Sequence, residues 1–421
     1  MSEPIRIGIV GCGRIVPAHL RGYAALRQRG YDNFRITALL SRKREDAEMF
    51  RKRDEGPPPR PPVSKVPGDP LSAPHLYVSD FQPEVDAKVF DDFEELIHSG
   101  TVDALDIPAS VFTHHDYAVR AMDAGLHCLV QKPFAVSVAA ARKMVEAGRR
   151  NRVTLGVTEN VRYAQSTRAA RWAITRGDLG LPQLVASIGI STAEWSPDKA
   201  VADTPWRHVQ VLAGGGPTLD IGVHLFHRVR YLCGEVRQVL ALARTFEPLR
   251  YRRDAEGNVL EAFTSDADDA FMTTFELANG GIGQMSFTWA GHGPPTGLPD
   301  GMVIYGSKGA LKGGILYRDG REPSDTLQLF RAEASPAEQA RWLPLDLSDS
   351  FAAGFYDFLT SIGQGKNPET SGEEGMRDVA TAFSVLESSA ANRPVLVEDV
   401  LTGKVRAAQR AIDEHWNLTG D

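Results

Sequence analysis

The stretch that decides the fold lies at the start of the chain, where residues 5–16 read IRIGIVGCGRIV. The apolar run before Gly11 predicts a strand, and residues 16–29 have the spacing of a helix. Gly11 allows a tight turn, and Gly13 lets backbone N–H groups approach a pyrophosphate near the helix N-terminus. Val16 stands where the third glycine of the G-x-G-x-x-G fingerprint belongs, so an ordinary glycine turn is the alternative.

Strands and helices alternate from this turn to about residue 157. Further strands are predicted at residues 35–40, 104–107, 126–130 and 153–157, and further helices at residues 92–98, 115–123 and 137–149. Such alternation predicts a parallel sheet with helices on both faces. We therefore expect an α/β Rossmann domain with a doubly wound parallel sheet over residues 1–157.

The pattern changes in the rest of the chain, which we expect to form a second domain over residues 158–421. Strand-like segments dominate at residues 184–190, 270–277, 282–290 and 302–305, with two helices at residues 351–362 and 373–392. The turn Asn279-Gly280-Gly281 is a good hairpin signal. This pattern predicts an α+β domain with a large, mostly antiparallel sheet and helices on one side.

Residues 51–83 fit neither domain, because they contain GPPPRPPVSKVPGDP. So many prolines exclude a regular helix or an interior strand. The composition favours a mobile surface insertion. A flap over a cofactor and a subunit contact are the alternatives.

Bulk composition excludes several classes of protein. The 421 residues exceed the usual size of one domain, and a formal net charge of −7 offers no basic surface for nucleic acid. Cys12, Cys128 and Cys233 have no disulfide or zinc spacing. Neither a signal peptide nor an apolar run long enough for a membrane span is apparent. We expect a cytoplasmic protein without membrane, nucleic-acid or metal partners.

The end of the second predicted strand bears on the choice of dinucleotide. Residues 40–44 read LSRKR, so the acid that usually binds the ribose diol of NAD is missing. Ser41 and Arg42 suit the 2′-phosphate of NADP. A solvated basic helix start is the alternative, and NAD stays open.

Two segments carry candidate reacting groups. Lys132 comes soon after the strand at residues 126–130, and ligands bind at the carboxyl ends of parallel strands; an ordinary Lys-Pro turn is the alternative. Residues 214–227 read GGGPTLDIGVHLFH, which places Asp220 and His224 four residues apart on one helical face. An acid–base pair, a structural polar patch and a metal site that includes His227 are all compatible with this spacing.

Together these motifs resemble the Gfo/Idh/MocA oxidoreductase family over essentially the whole chain. Gly11 and Gly13 followed by His19 are similar to its first motif, and Gln131-Lys132-Pro133 is similar to its Glu-Lys-Pro signature. Residues 214–224 are similar to its substrate-domain motif, G-G-G-x-x-x-D-x-G-x-H.

The resemblance implies a nicotinamide-dependent dehydrogenase or reductase of a sugar, cyclitol or related polyol. Lys132 and His224 would be the catalytic pair and would also contact substrate, and Asp220 would bind and orient the substrate hydroxyl. Besides Gly11, Gly13, Ser41 and Arg42, the implied cofactor contacts are Arg14, Ile15, His114 and Gln131. The resemblance also implies a homodimer or homotetramer, and a cis bond before Pro133.

Two departures concern specificity, since Gln131 replaces the signature glutamate and His227 stands where many members have an aspartate. We expect His227 to affect which substrate hydroxyls are recognised. Further substrate contacts are expected from Arg162 and Trp206, and more weakly from Trp195 and Arg207. A redox-neutral glycosidase with a tightly bound nucleotide, and a non-catalytic nucleotide-sensing binder, are the alternative functions.

Overall fold

A computed structural model of the chain describes residues 3–190, 197–254 and 256–419. The chain forms two compact units, each built from several segments. The first comprises Met1–Ala135, Ala140–Tyr163 and Leu347–Met376, and the second comprises Val136–Ala139, Ala164–Asp346 and Arg377–Asp421. The chain therefore returns to the first unit after most of the second is complete. The division into domains of residues 1–157 and 158–421 stays a prediction.

The strands are numbered in chain order. Those of the described residues are β1 (Ile5–Val10), β2 (Phe34–Leu40), β3 (Lys88–Phe90), β4 (Ala104–Ile107), β5 (His127–Gln131), β6 (Leu155–Thr158), β7 (Pro182–Ile190), β8 (Val236–Arg244), β9 (Leu249–Arg253), β10 (Val259–Thr264), β11 (Ala270–Leu277), β12 (Ile282–Thr288), β13 (Thr296–Gly306), β14 (Gly309–Lys312), β15 (Ile315–Arg318), β16 (Ser324–Asp325) and β17 (Val395–Leu396).

The helices are numbered in the same way. Those of the described residues are α1 (Val16–Gln28), α2 (Arg44–Arg51), α3 (Val78–Phe81), α4 (Phe93–His98), α5 (Val111–Asp123), α6 (Val138–Asn151), α7 (Gln165–Thr175), α8 (Gln210–Ala213), α9 (Pro217–Asp220), α10 (Gly222–Cys233), α11 (Thr326–Glu333), α12 (Pro336–Trp342), α13 (Ser350–Gln364), α14 (Gly372–Ala391), α15 (Val397–Leu401) and α16 (Arg410–His415). Short 3₁₀ helices occur at Pro70–Ser72, Asn160–Arg162, Val201–Asp203, Pro205–His208 and Pro344–Asp346.

The first unit contains the predicted parallel sheet. Among the described residues its strand order is β3-β2-β1-β4-β5-β6, and every neighbouring pair is parallel. All residues of β4 and of β6 are buried, as expected for strands covered on both faces. The strand order reverses between β1 and β4, and ligands of such sheets bind beyond the carboxyl ends of the strands at that point.

The proline-rich segment differs from the expected surface insertion in its second half. Residues 52–63 are mostly exposed, but Ala73 and Val78 are buried in the core of the first unit. The side-chain amide of Gln82 accepts from Ile36 N–H and donates to Ile36 C=O, both at 2.8 Å. The segment thus ends in contacts with β2, because a few apolar residues and one amide anchor a chain that its prolines keep irregular.

The second unit contains the predicted large sheet. Its order in the described chain is β16-β15-β14-β13-β7-β12-β11-β8-β17, and the pairing is antiparallel except between β7 and β12. The predicted hairpin joins β11 to β12, with Gly280 at a φ of 86°. Side chains of β11 alternate, since Phe271 and Phe275 enter the core while Met272 is 66% exposed.

Within residues 3–190, 197–254 and 256–419, no helix combines the length and the apolar character needed to cross a membrane.

Candidate functional site

The glycine turn joins β1 to α1 in the first unit. Gly11 has a φ of 100°, and a Cβ placed on it would lie 2.6 Å from the Cα of Ala109, so a side chain cannot be accommodated. Around Gly13, by contrast, no heavy atom of the described residues beyond its two chain neighbours lies within 4 Å of such a Cβ. Ile15 precedes α1 and its side chain makes no capping hydrogen bond. Open space beside an N-terminus whose side-chain cap is missing fits a pyrophosphate.

Ser41 and Arg42 follow β2 at the same edge of the sheet. The backbone N–H of Ser41 donates to Phe90 C=O at 3.2 Å, which attaches this loop to β3. Arg42 is exposed, and no salt bridge to it is found among the described residues. Asp46, in the first turn of α2, is paired with Arg60 of the proline-rich segment. The cation of Arg42 is thus available for a phosphate, while the Asp46 carboxylate is already engaged by a guanidinium.

Lys132 follows the last residue of β5, and the Lys132–Pro133 bond is cis, as the resemblance implied. His114 lies under this turn and is 1% exposed. Its Nδ1 is 3.1 Å from Pro133 C=O, and its Nε2 is 3.0 Å from Ala109 C=O. Burial lowers the pKa of His114 to about 4. The ring lies between the lysine turn and Ala109, which faces Gly11, and as a neutral imidazole it can donate to one of the two carbonyl oxygens. Its direct contact with a cofactor stays a prediction.

A buried series of polar side chains leads from Lys132 into the first unit. The side chain of Gln131 contacts both the backbone N–H of Lys132 and the ring of His19, each at 2.8 Å. His19 Nδ1 lies 2.8 Å from Asp106 Oδ2, and Tyr23 donates to the same oxygen at 3.2 Å. We call Gln131, His19, Asp106 and Tyr23 the buried polar series. Sequence reasoning did not assign Asp106 or Tyr23 to the site, and it cited His19 only as part of a motif.

Asp220 and His224 lie in the second unit, on consecutive helices rather than on the one helix that their spacing predicted. Asp220 ends α9, His224 lies in the first turns of α10, and Ile221 joins the two helices. Both residues are partly exposed. Ile221 separates the two helices, although its own backbone angles are helical.

Asp268 holds the start of α9. One carboxylate oxygen accepts from Gly216 N–H at 2.7 Å, and the other accepts from Thr218 Oγ1 at 2.6 Å and Thr218 N–H at 3.1 Å. A Cβ on Gly216 would lie 1.6 Å from the Asp268 carbonyl oxygen. Asp268 thus supplies the cap that Gly216 cannot supply for the helix that ends in Asp220.

Trp206, Arg207 and Asp220 come together in the second unit. The Arg207 guanidinium carbon lies 4.4 Å from the centre of the Trp206 ring, and Arg207 Nε lies 3.5 Å from Asp220 Oδ2. All three side chains are partly exposed. An aromatic face, a cation and a carboxylate therefore adjoin one another, which is a suitable combination for a polar ligand with an apolar face.

Comparison with known proteins gives the family. A sequence profile described as an oxidoreductase family with an NAD-binding Rossmann fold matches residues 5–159. A second profile, for the GFO/IDH/MocA C-terminal domain, matches residues 167–312. The chain belongs to the Gfo/Idh/MocA oxidoreductase family. It is accordingly an oxidoreductase with an NAD-binding Rossmann domain.

Relatives in the Gfo/Idh/MocA family match most of the chain at low identity. Levoglucosan dehydrogenase of Pseudarthrobacter phenanthrenivorans is 23% identical over 92% of this chain and 97% of its own. A 1,5-anhydro-D-fructose reductase of Ensifer adhaerens is 27% identical over 72% and 83%. Myo-inositol 2-dehydrogenase of Thermotoga maritima is 24% identical over 75% and 85%.

Solved structures of this family share the fold. Levoglucosan dehydrogenase in complex with NADH superposes with a TM-score of 0.71 at 20% identity, over 94% of this chain and 99% of that one. The predicted Rossmann domain and mostly antiparallel second sheet are therefore confirmed.

Two predicted substrate contacts of this Gfo/Idh/MocA member have partners inside their own unit. His227 is 1% exposed, and its Nδ1 lies 2.7 Å from Asp378. Although burial acts to raise it, His227 and Arg230 lower the pKa of Asp378. Arg162 lies 3.3 Å from Glu369. The burial of His227 favours a structural role over the substrate contact that its spacing suggested.

Trp195 lies outside the described residues. In the described ranges, no group of three or more His, Cys, Asp or Glu side chains is arranged to hold a metal ion.

Proposed function

We propose that this oxidoreductase interconverts a secondary alcohol and a ketone of a sugar, cyclitol or related polyol, using NADP or NAD. The adjoining Trp206, Arg207 and Asp220 side chains are the observation that carries this proposal. A sugar ring has an apolar C–H face that suits tryptophan and hydroxyls that suit a cation and a carboxylate. The names of the three relatives, which refer to levoglucosan, anhydrofructose and myo-inositol, agree with this substrate class.

The proposed chemistry assigns the hydroxyl proton to Lys132 and His224. A bound nicotinamide would supply or accept the hydride. The lysine ammonium would stabilise negative charge that develops on the substrate oxygen. His224 would exchange the proton, because an imidazole can both accept and donate one. Asp220 would accept a hydrogen bond from the substrate hydroxyl and so orient it.

The nucleotide would be held by the first unit. Gly11, Gly13, Arg14 and Ile15 would receive the pyrophosphate at the start of α1. We propose that Ser41 and Arg42 favour NADP over NAD, since Arg42 is exposed and can pair with a 2′-phosphate. NAD is the competing nucleotide in the test, because the similar levoglucosan dehydrogenase structure contains NADH.

The exposed apolar face of the second sheet supports a homo-oligomer. Met272 pairs with Leu242 across β11 and β8, and Ile282 pairs with Leu184 across β12 and β7. All four are 44–66% exposed on one face. Exposed apolar pairs of this kind favour association, and Met272→Glu should shift the mass measured by light scattering toward the monomer.

The catalytic proposal is tested with Lys132→Ala on a panel of levoglucosan, 1,5-anhydro-D-fructose and myo-inositol. We expect turnover to fall by roughly 10²–10⁴-fold while nucleotide binding changes by less than about threefold. Lys88→Ala, at an exposed lysine of β3, is the control and should keep full activity. Activity of Lys132→Ala equal to that of the control would refute the assigned role.

Mass spectrometry of the denatured protein and titration of the native protein test the nucleotide. We expect little nucleotide to be released and NADPH to bind more tightly than NADH, with the preference reduced about tenfold in Arg42→Ala. Stoichiometric release of a nucleotide would instead favour the redox-neutral glycosidase. Equal affinities in the unsubstituted protein would refute the preference for NADP.

A further inference from the structure

We infer that Asp106, His19 and Gln131 are positioning residues for Lys132, and that the amide at residue 131 keeps His19 neutral. The inference concerns how the lysine turn is held. It rests on the proposed function only where activity is measured, because its principal test uses the protein without nucleotide or substrate.

The directions of the hydrogen bonds determine the protonation of His19. The backbone N–H of Lys132 can only donate, so the Gln131 oxygen faces it at 2.8 Å. The amide nitrogen of Gln131 must then face His19 Nε2, also at 2.8 Å. A ring nitrogen that faces an N–H donor carries no proton, so the proton of the neutral ring is on Nδ1.

The remaining contacts agree with this tautomer. His19 Nδ1–H donates to Asp106 Oδ2 at 2.8 Å, and Tyr23 O–H donates to the same oxygen at 3.2 Å. Every hydrogen bond from Lys132 N–H onward therefore points toward the Asp106 carboxylate. Asp106 Oδ1 is buried, and in the described chain it has no hydrogen-bond partner. The hydrogen bonds of this carboxylate thus come from His19 and Tyr23.

The surroundings of His19 are otherwise apolar. His19 is fully buried, Asp106 is 1% exposed and Tyr23 is 1% exposed. The rings of Phe351 and Phe355, both on α13, lie 5.2 and 5.4 Å from the His19 ring. Burial and the adjacent Asp106 raise the pKa of Tyr23 well above its usual value, so Tyr23 remains a donor. Asp106 is thus the titratable group that hydrogen-bonds His19 directly, and Tyr23 shares the same carboxylate oxygen.

This arrangement ties three elements to one peptide group. His19 lies on α1, which begins just after the glycine turn, Asp106 lies on β4, and Gln131 ends β5. Without the His19 ring, the Gln131 amide has no partner that fixes its rotation, and Lys132 N–H loses its aligned acceptor. A small displacement of a proton-transferring group can cost a large factor in rate, about 10²-fold for 1 Å.

Residue 131 decides whether the connection depends on pH. A glutamate there, as in the family's Glu-Lys-Pro signature, would face both Lys132 N–H and His19 Nε2 with acceptor oxygens. His19 would then need protons on both nitrogens, as an imidazolium between two carboxylates. The imidazolium would be lost as the pH rises. Glutamine makes the same connection with a neutral ring and takes up no proton.

The principal test is ¹⁵N NMR of histidine-labelled protein, with the His19 signal identified by its absence in His19→Phe. We expect a neutral ring with its proton on Nδ1, because Nε2 faces an N–H donor. Gln131→Glu should give an imidazolium at about pH 6 that deprotonates at higher pH. Gln284→Glu, at an exposed position of β12, is the matched control and should leave the signal unchanged. An Nε2–H tautomer or an imidazolium in the unsubstituted protein would overturn the inference.

Steady-state kinetics test the positioning of Lys132. His19→Phe should lower kcat by about 10–100-fold with the KM for nucleotide changed by less than about threefold. Gln131→Glu should retain most of kcat while His19 is an imidazolium and lose it as the pH rises, whereas Gln131→Met should be impaired throughout. If Gln131→Glu has the pH profile of the unsubstituted enzyme, the positioning role is wrong. If no substrate of the panel is turned over, the proposed function fails while the NMR result still decides the inference.

Discussion

The two glycine turns of this protein use the same residue for opposite purposes. At Gly13 of the first unit, a Cβ would enter space that the described residues leave open. At Gly216 of the second unit, a Cβ would collide with the carbonyl oxygen of Asp268 at 1.6 Å. Both glycines lie just before the N-terminus of a helix, Gly13 before α1 and Gly216 before α9.

We propose that the first turn leaves room for a ligand, whereas at the second the space is filled by the protein's own chain. In the first turn, α1 has no side-chain cap, so its N–H groups remain available to a phosphate. In the second, the Asp268 carboxylate already occupies the equivalent position before α9. Substitutions at the first turn should therefore affect binding, and substitutions at the second should affect folding.

The largest effect is expected for Gly216→Ala. The new methyl group cannot coexist with the backbone of Asp268, so the start of α9 must move and its cap must break. We expect a loss of about 4 kcal/mol in the free energy of unfolding, measured by urea denaturation. Gly222→Ala is the matched control, since its nearest contacts would be at 3.7 and 3.9 Å. Equal losses in the two variants would show that packing at Gly216 is not the reason.

The next largest effect on stability is expected for His114, whose ring contacts Ala109 beside the Gly11 turn. Burial lowers its pKa to about 4, so below about pH 6.5 the unfolded chain binds a proton that the folded protein does not. The free energy of unfolding should therefore fall as the pH is lowered from about 6.5 to about 4, by roughly 3 kcal/mol. His114→Asn cannot take up this proton.

Urea denaturation at several pH values compares the unsubstituted protein with His114→Asn. The variant should be less stable at neutral pH but should lose less on acidification. His208, whose pKa burial lowers to about 3, should give a residual acid sensitivity in both. Identical acid profiles would contradict a buried, neutral His114.

An intermediate effect is expected for Asp268→Asn. An asparagine keeps one acceptor oxygen, but its amide would face the N–H of either Gly216 or Thr218. Losing one hydrogen bond and opposing two donors should cost about 2 kcal/mol of stability. Asp266→Asn is the comparison, because exposed Asp266 accepts from Gln210 N–H at 2.6 Å. A thermal-shift measurement that ranks the exposed variant as the more damaging would contradict the role of Asp268 as a cap.

The smallest effect on folding is expected for Gly13→Ala. Stability should change by less than about 1 kcal/mol, because the methyl group meets open space, while the Kd for the preferred nucleotide should rise about tenfold or more. Gly363→Ala, which also meets open space but lies near the end of α13, should leave the Kd unchanged. Unaltered nucleotide affinity in Gly13→Ala would contradict the assignment of this space to the pyrophosphate.

Local pattern sufficed to predict the features that depend on neighbouring residues. The glycine turn, the alternating elements and the end of the strand before Lys132 were all visible in short windows, because strands and helices have their own periods. The hairpin at Gly280 was predicted from its turn residues in the same way.

Long-range contacts account for what the sequence did not predict. His19 meets Asp106 across 87 residues and Gln131 across 112, and Gly216 meets Asp268 across 52. His227 was interpreted from its spacing to His224, but it is paired with Asp378, 151 residues away. The end of the proline-rich segment packs through Ala73 and Val78, which its composition concealed.

The sequence by itself therefore determined which residue types stand at the turns and strand ends, since these follow from local backbone geometry. The tertiary structure alone decided which polar side chains are buried against one another. Burial depends on strand order and on segments that are distant in the chain, so no local pattern records that His19 is held between an amide and a carboxylate.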